Sequence, residues 1–354
     1  MRAMEDQVAE PIRIGIVGAG RIVRSEHIPR FRAIDGVQLV AVANRSPESS
    51  REAAAELDIP RAFDDWRTLV ADPGIDAVLI GAWPVLHAPV AIAALEAGRH
   101  VLTEARMAAT ADDARAMLAA ARARPERVAM VVPASFSLWA DGTIRRVLTD
   151  GAIGRVRHVR VSWDHSGAGD PRDFWRWQRQ FSGENVMALG ILVEAMARWL
   201  GPAEAVTAVT RVTESRRDGP SGPVDVDIPD HVLVIAEYGD DVTATIEMSA
   251  RTNGLTSDHV TFHGTTGSLI MDLAGQHLER APVGGGRGDR ENVAIRDEDR
   301  AEWTAEIDFV ASIRDGRPVT LTDFATGLGY MAFIEAVHRS AAEGRRITIE
   351  GDRA

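Results

Sequence analysis

Side chains able to do acid–base or nucleophilic work are unevenly supplied in this chain. Its 354 residues include no cysteine, and all 40 residues counted as Lys+Arg are arginines. Thiolate nucleophiles, thiolate metal sites and disulfides are thereby excluded. So are Schiff bases and proton transfer through a lysine, because a guanidinium stays protonated at working pH. Histidines and carboxylates are among the groups that remain. His165 ends an alternating strand beside Asp164, which can orient its imidazole; a histidine that simply packs at the strand end near Trp163 reads the same way. Arg176, inside the run FWRWQRQ, can hold a carboxylate or orient a hydroxyl, or can be a structural arginine stacked between Trp175 and Trp177. His259 and His263 are four apart on a strand, a spacing that spans two pleats and argues against a shared metal.

The backbone carries the stronger signal. An apolar run, IRIGIV, is followed by Gly18-Ala19-Gly20 and then by a helical stretch starting at Arg21. A strand, a tight glycine turn and a helix N-terminus together make a phosphate site. The turn glycines let a pyrophosphate approach the backbone, and the first N–H groups of the helix, around Arg21 and Ile22, face it. The third glycine of the usual GxGxxG spacing is replaced by Val23. That glycine serves helix–strand packing, so its loss weakens the pattern without emptying the phosphate site. At the end of the second strand the chain reads Asn44-Arg45-Ser46. NAD binders place an acidic residue there for the ribose 2′-OH, whereas an arginine suits a 2′-phosphate. Asn44 removes the repulsion, Arg45 supplies charge and Ser46 a donor, so the expected dinucleotide is NADP, with NAD possible.

These residues need a scaffold, and the chain supplies one by alternation. Short apolar runs at 12–17, 37–44, 61–63, 77–81, 100–103 and 128–132 alternate with helical stretches at 21–32, from Pro47, from Asp64 as cap, at 87–97 and at 111–122. Pro29 is expected to bend or end the first helix. Strands alternating with helices predict an α/β fold with a doubly wound parallel sheet. After Pro133 the rhythm changes. Residues 155–164 alternate strictly, placing Val159, Val161 and Trp163 on one face, with His165 next on it. Helices are expected at 137–148 and 186–200, strands at 205–213, 231–238 and 242–250, and a strand pair at 259–264 and 268–273. Gly239-Asp240-Asp241 predicts a hairpin. Residues 215–229 and 281–289 read as loops, and two helices, 301–314 and 323–343, close the chain. The expectation is two domains, residues 11–133 and 134–354, the second an α+β domain with a large, mostly antiparallel open sheet.

The formal net charge of −12 argues against a nucleic-acid or anionic-membrane partner. The first ten residues, MRAMEDQVAE, are acidic without an apolar segment, unlike a secretory signal, and no apolar run approaches a bilayer span. With no cysteine, this fits a cytoplasmic protein.

The chain resembles the glucose–fructose oxidoreductase / inositol dehydrogenase / rhizopine-catabolism (Gfo/Idh/MocA) family over nearly its whole length. The resemblance rests on GIVGAGRIVRSEHIP at 15–29, VQLVAVANRSPE at 37–48, GIDAVLIGAWPVLHAPVAIAALEAGRHVLTEARMA at 74–108, DHVLVIAEYGD at 230–240 and HVTFHGTTGSLIMD at 259–272. It implies an NAD(P)-binding Rossmann domain and a C-terminal domain whose open sheet supports a homodimer or homotetramer. It also implies oxidation or reduction of sugars, inositols and related diols. By the same resemblance, Ala82, Trp83 and His87 follow the fourth strand where relatives contact the nicotinamide half, and Glu104 lies beside the nicotinamide ribose.

Two signatures of that family are altered. Where relatives carry Glu-Lys-Pro, this chain has Glu104-Ala105-Arg106. Where they carry Asp-x-Gly-x-His-x-x-Asp, it has Ala188, Gly190, Leu192 and a displaced carboxylate, Glu194. Ala188 and Leu192 share one helix face, which is therefore apolar. Losing proton-transfer groups costs about 10²–10⁴-fold where they act. Three readings follow: an oxidoreductase whose proton travels through His165 or water, a dinucleotide-binding relative doing non-redox chemistry, or a catalytically silent sensor.

Overall fold

The computed structural model describes residues 10–164, 170–250, 256–285 and 287–350. Its contacts divide the chain into two units. The first comprises residues 1–107, 113–132 and 304–324, and the second 108–112, 133–303 and 325–354.

The first unit is built on a six-stranded parallel sheet in the order β3-β2-β1-β4-β5-β6. The strands are β1 (Ile12–Val17), β2 (Val37–Ala43), β3 (Arg61–Phe63), β4 (Ala77–Ile80), β5 (His100–Thr103) and β6 (Ala129–Val131). β4 and β5 are buried at every residue, as parallel strands covered on both faces must be. Between β1 and β2 a π-helical stretch, Val23–His27, continues into α1 (Ile28–Arg32). Pro29 does not end this helix. It sits near the start of the α-helical part, where its missing N–H is tolerated. The later helices are α2 (Pro47–Glu56), α3 (Trp66–Ala71), α4 (Pro84–Glu96) and α5 (Ala111–Arg122). Two helix starts show why boundaries differ from the sequence reading. Asp65, not Asp64, caps α3, its side chain accepting from the Arg67 amide at 2.7 Å. α4 begins three residues before His87, at Pro84, because proline's fixed φ suits a first helical turn. The segment 304–324 returns to this unit with the helix Ala305–Asp315. Phe309 on that helix meets Phe31 edge-on at 6.5 Å. The Thr322 carbonyl accepts from the Val131 amide at 2.9 Å, and Asp323 bridges Met130, so this late segment pairs with the last strand of the sheet.

The second unit carries a nine-stranded sheet whose outer strands are β14 (Gly267–Asp272), β15 (His277–Pro282), β16 (Glu291–Asn292) and β17 (Ile347–Thr348), in the order β16-β15-β14-β13-β7-β12-β11-β8-β17. Its central strands are β7 (Val156–Asp164), β8 (Ala203–Arg211), β11 (His231–Tyr238), β12 (Val242–Ser249) and β13 (Asp258–Gly264). Only the β7–β12 pair runs parallel; the remaining pairs are antiparallel. The hairpin at residues 239–241 forms as expected, with Asp240 and Asp241 at positive φ. Val159, Val161 and Trp163 are buried together on the core face. Helix α8 (Leu189–Leu200) packs there, Trp199 meeting Phe262 edge-on at 5.6 Å. The opposite face is open: Val209, Leu233 and Ile235 are 46%, 42% and 52% exposed. Residues 215–229, read from sequence as a loop, contain a hairpin of β9 (Arg216–Gly219) and β10 (Gly222–Asp225). No described helix is long and apolar enough to cross a membrane.

Candidate active site

In the first unit the strand order reverses between β1 and β4, and a ligand groove opens beyond the carboxyl ends of strands at such a point. Two glycines shape it. Gly18 has φ +85°, and a Cβ there would lie 2.6 Å from the Ala82 amide nitrogen. A Cβ on Gly81 would lie 2.2 Å from Val23 Cγ2 and 2.7 Å from the Gly18 carbonyl. The space normally made by the third glycine is therefore made by Gly81, into which Val23 packs with 1% exposure. At Gly20 a Cβ would meet only the Gly81 carbonyl at 3.5 Å, so the turn is open on its outer side. Arg24 Nε donates to the Ala19 carbonyl at 2.8 Å and fixes the turn to the helix that follows. Arg21 and Ile22, at the helix start, are exposed. An open glycine turn at a helix N-terminus fits a pyrophosphate.

The end of β2 is organised by Asn44. Its Oδ1 accepts from the Ala19 amide at 2.8 Å and its Nδ2 donates to the Ser49 carbonyl at 3.0 Å. Asn44 thus ties the glycine turn to α2 and presents no carboxylate. Ser46 caps α2, accepting from the Ser49 amide at 3.2 Å. Arg45 is exposed and makes no hydrogen bond or ion pair among the described residues. A cation beside a helix N-terminus fits an anion such as a 2′-phosphate.

Ala82 and Trp83 lead into α4 at the mouth of the same groove, Trp83 as its N-cap residue. His87 lies beneath them and is 1% exposed. Its Nε2 faces the Ala82 carbonyl at 3.0 Å, and its Nδ1 faces the carbonyls of Arg106 at 3.0 Å and Met107 at 3.3 Å. It staples the turn after β4 to the turn after β5, and burial pushes its pKa down. The Ala105–Arg106 peptide in that second turn is cis.

Glu104 begins the turn after β5, anchored by its amide to the Ile80 carbonyl at 2.9 Å. Its Oε1 lies 2.9 Å from Nε2 of His27, and Nδ1 of His27 lies 2.5 Å from Oε1 of Glu306. The imidazole is fully buried, Glu306 is 1% exposed and the Glu104 side chain 18%. Burial alone would depress the imidazole, but hydrogen bonds to Glu104 and Glu306 outweigh it and raise the pKa to about 9. His27 is therefore an imidazolium at neutral pH. Neither His27 nor Glu306 stood out in the sequence as chemistry. His27 carried one signal, its place in the run HIP after the glycine turn; Glu306 carried none, being 279 residues away on the closing helix.

In the second unit the expected residues stand apart from one another in kind. His165 lies outside the described residues. Arg176, on the 3₁₀ turn Pro171–Trp177, stacks over Trp175 at 4.4 Å and lies 3.8 Å from Asp173. Arg217 covers Trp177 at 3.7 Å, held by Asp230 at 3.1 Å. Leu192 is fully buried in α8, while Ala188 is the half-buried residue preceding that helix, so the apolar pair does not form one presented face. Glu194 is bound to Arg198 NH1 at 2.8 Å and to the Ala134 amide at 2.9 Å. Arg198 Nε also reaches Asp141 at 2.7 Å, and Asp141 accepts from the Trp199 indole at 2.8 Å.

Residues 12–132 match the family described as "Oxidoreductase family, NAD-binding Rossmann fold", and residues 142–270 match the "GFO/IDH/MocA C-terminal domain". The chain is 29% identical over 292 residues to levoglucosan dehydrogenase of Pseudarthrobacter phenanthrenivorans, covering 74% of this chain and 73% of that one. It is 32% identical over 267 residues to 1,5-anhydro-D-fructose reductase of Ensifer adhaerens, covering 73% and 75%. It is 23% identical over 350 residues to myo-inositol 2-dehydrogenase of Thermotoga maritima, covering 96% and 99%. Among solved structures, levoglucosan dehydrogenase in complex with NADH and L-sorbose superposes with a TM-score of 0.82 at 23% identity, over 97% of this chain and all of that one.

Proposed function

The chain belongs to the Gfo/Idh/MocA oxidoreductase family, and from that premise we propose that it transfers hydride between NADP and a sugar-, inositol- or cyclic-polyol-like alcohol or ketone. Its relatives are named dehydrogenases and reductases of levoglucosan, anhydrofructose and inositol, which supports redox chemistry over a silent or non-redox role.

The observation that carries the cofactor choice is the end of β2. Asn44 stands where a carboxylate would repel a 2′-phosphate and is consumed in holding the glycine turn, and exposed Arg45 beside the Ser46 cap offers charge. A bound nicotinamide supplies the hydride acceptor or donor. The chain's residues do the rest. Gly18, Gly20 and the helix start at Arg21 and Ile22 receive the pyrophosphate. Ala82 and Trp83 border the nicotinamide half, with His87 bracing them from below. Glu104, a carboxylate with one oxygen engaged, accepts hydrogen bonds from ribose hydroxyls. His165, or water, moves the substrate proton, and Arg176 orients a substrate hydroxyl or carboxylate.

The exposed row Val209, Leu233 and Ile235 supports a homodimer or homotetramer formed through the open sheet. The lack of cysteine supports a cytoplasmic setting.

Fluorescence titration of the purified protein with NADPH and NADH tests the cofactor assignment; tighter NADH binding would overturn it. Nicotinamide absorbance followed against a panel of cyclic polyols and their ketones tests the reaction. His165→Ala should slow the turnover found there, and unchanged turnover removes His165 from the mechanism.

A further inference from the structure

Three side chains brought together from residues 27, 104 and 306 form an arrangement that the oxidoreductase reading leaves unused. His27 is on the helix after the glycine turn, Glu104 on the turn after β5 and Glu306 on the closing helix Ala305–Asp315. Both ring nitrogens face carboxylate oxygens, so only the doubly protonated ring can donate to both. The flat side of the ring is covered by Phe31, one turn later, with centroids 6.5 Å apart. The charged groups facing the imidazole are Glu104 and Glu306. The two carboxylates differ in freedom: Glu306 is sealed in, whereas Glu104 keeps part of its side chain at the surface. Among the described residues, only Oε1 of Glu104 is hydrogen-bonded.

We propose that His27 and Glu306 are positioning residues for Glu104: they hold it as an oriented anion with its second oxygen available to the dinucleotide, so that a buried imidazolium which never touches the cofactor sets the affinity for it. The assignment rests on the reading that Glu104 faces the dinucleotide. The chain has no lysine, and the cation that this geometry sets against Glu104 is the His27 ring.

Deprotonation of His27 must leave one ring nitrogen presenting a lone pair to a carboxylate. Glu306 has no room to withdraw, so Glu104 is the partner that gives way. Dinucleotide affinity should therefore hold from pH 6.5 to about 8 and weaken through a midpoint near 9, by about tenfold, the loss expected for one charge-assisted hydrogen bond.

Fluorescence titration of full-length protein with NADPH between pH 6.5 and 10 reads this directly. Glu306→Gln removes one stabilising carboxylate without approaching the ligand and should move the midpoint down by about one unit. His27→Gln keeps an N–H near the Nε2 position but cannot titrate, so it should lose the alkaline limb. His27→Asn can serve only the Glu306 side and should bind more weakly than His27→Gln at every pH. A flat wild-type profile, an unmoved midpoint in Glu306→Gln, or an alkaline limb kept in His27→Gln each overturns the proposal. If Glu104→Gln binds NADPH like the wild type, the reading that Glu104 faces the dinucleotide fails instead. Should the His27 variants not fold, imidazole titration by NMR in the wild type decides: a His27 ring already neutral at pH 7.5 overturns the proposal.

Discussion

In the first unit an imidazolium lies between Glu104 and Glu306, whereas in the second a guanidinium lies between Asp141 and Glu194. Both are cations buried between two carboxylates, and both tie together stretches far apart in sequence. They differ in what the cation can do. Arg198 never loses its proton, and it also donates to the Ala134 carbonyl at 3.1 Å and the Ser137 hydroxyl at 3.0 Å. Its carboxylates are 7% and 1% exposed, and each takes a further donor, the Trp199 indole or the Ala134 amide. Its donors are shared among four acceptors, and none of these groups is more than 13% exposed, so the cluster is fixed in place. His27 has two donors, a proton it can lose near pH 9, and one partner at the surface. The same plan, with imidazole in place of guanidinium, turns a fixed tie into an adjustable one.

Four measurements can break or sharpen this contrast. The largest effect should come from Arg198→Ala, which strands Asp141 and Glu194 as buried unpaired charges. We expect a loss of about 3–5 kcal/mol by denaturant unfolding, equal at pH 7 and pH 9. A small or strongly pH-dependent loss would mean that this cluster is not a fixed tie.

Next comes the alkaline stability of the wild type. The folded pKa of His27 is raised above its unfolded value, so its stabilisation is complete below the unfolded pKa, about 6.5, and is lost as pH rises through about 9. The difference in unfolding free energy between pH 6.5 and pH 10, on the order of 3 kcal/mol, should vanish in His27→Gln. A slope that persists there belongs to another group.

Gly81→Ala should follow, at about 1–3 kcal/mol, because its new methyl meets Val23 and the Gly18 carbonyl. It should abolish NADPH binding yet leave the His27 titration in place, separating groove from cluster. If the imidazole shifts as well, the two are one mechanical unit.

The smallest effect belongs to Arg45→Glu. It should reduce the NADPH-over-NADH preference about tenfold and leave the stability slope of neither cluster altered, as thermal melts at pH 7 and pH 9 would show.

What the sequence makes legible follows from distance along the chain. The glycine turn, the Asn44-Arg45-Ser46 corner and the 239–241 hairpin are local patterns, and the periodicity of the flanking runs locates them to within a few residues. The 216–225 hairpin was missed because its strands, RRDG and GPVD, have no apolar alternation; it is held instead by Arg217 folding over Trp177. Val23 read as a defect in the glycine pattern, since its compensation at Gly81 comes from another strand. The His27 cluster was invisible for the same reason: its meaning depends on residues 77 positions later on β5's turn and 279 positions later on the closing helix. Glu194, by contrast, pairs with Arg198 one turn along its own helix, a spacing visible in the sequence.

The late segment that pairs with β6 also constrains how the protein can be made. A nascent chain halted after residue 132 holds all six parallel strands yet lacks the backbone partners supplied at 322 and 323 and the Phe309 that seals Phe31. Its sixth strand would face solvent with unpaired amides while some 190 further residues emerge, at a translation rate of about 5–20 residues per second. The nucleotide-binding half is thus completed only once residue 323 has emerged, and a product terminated before it would offer other chains a ready template for pairing.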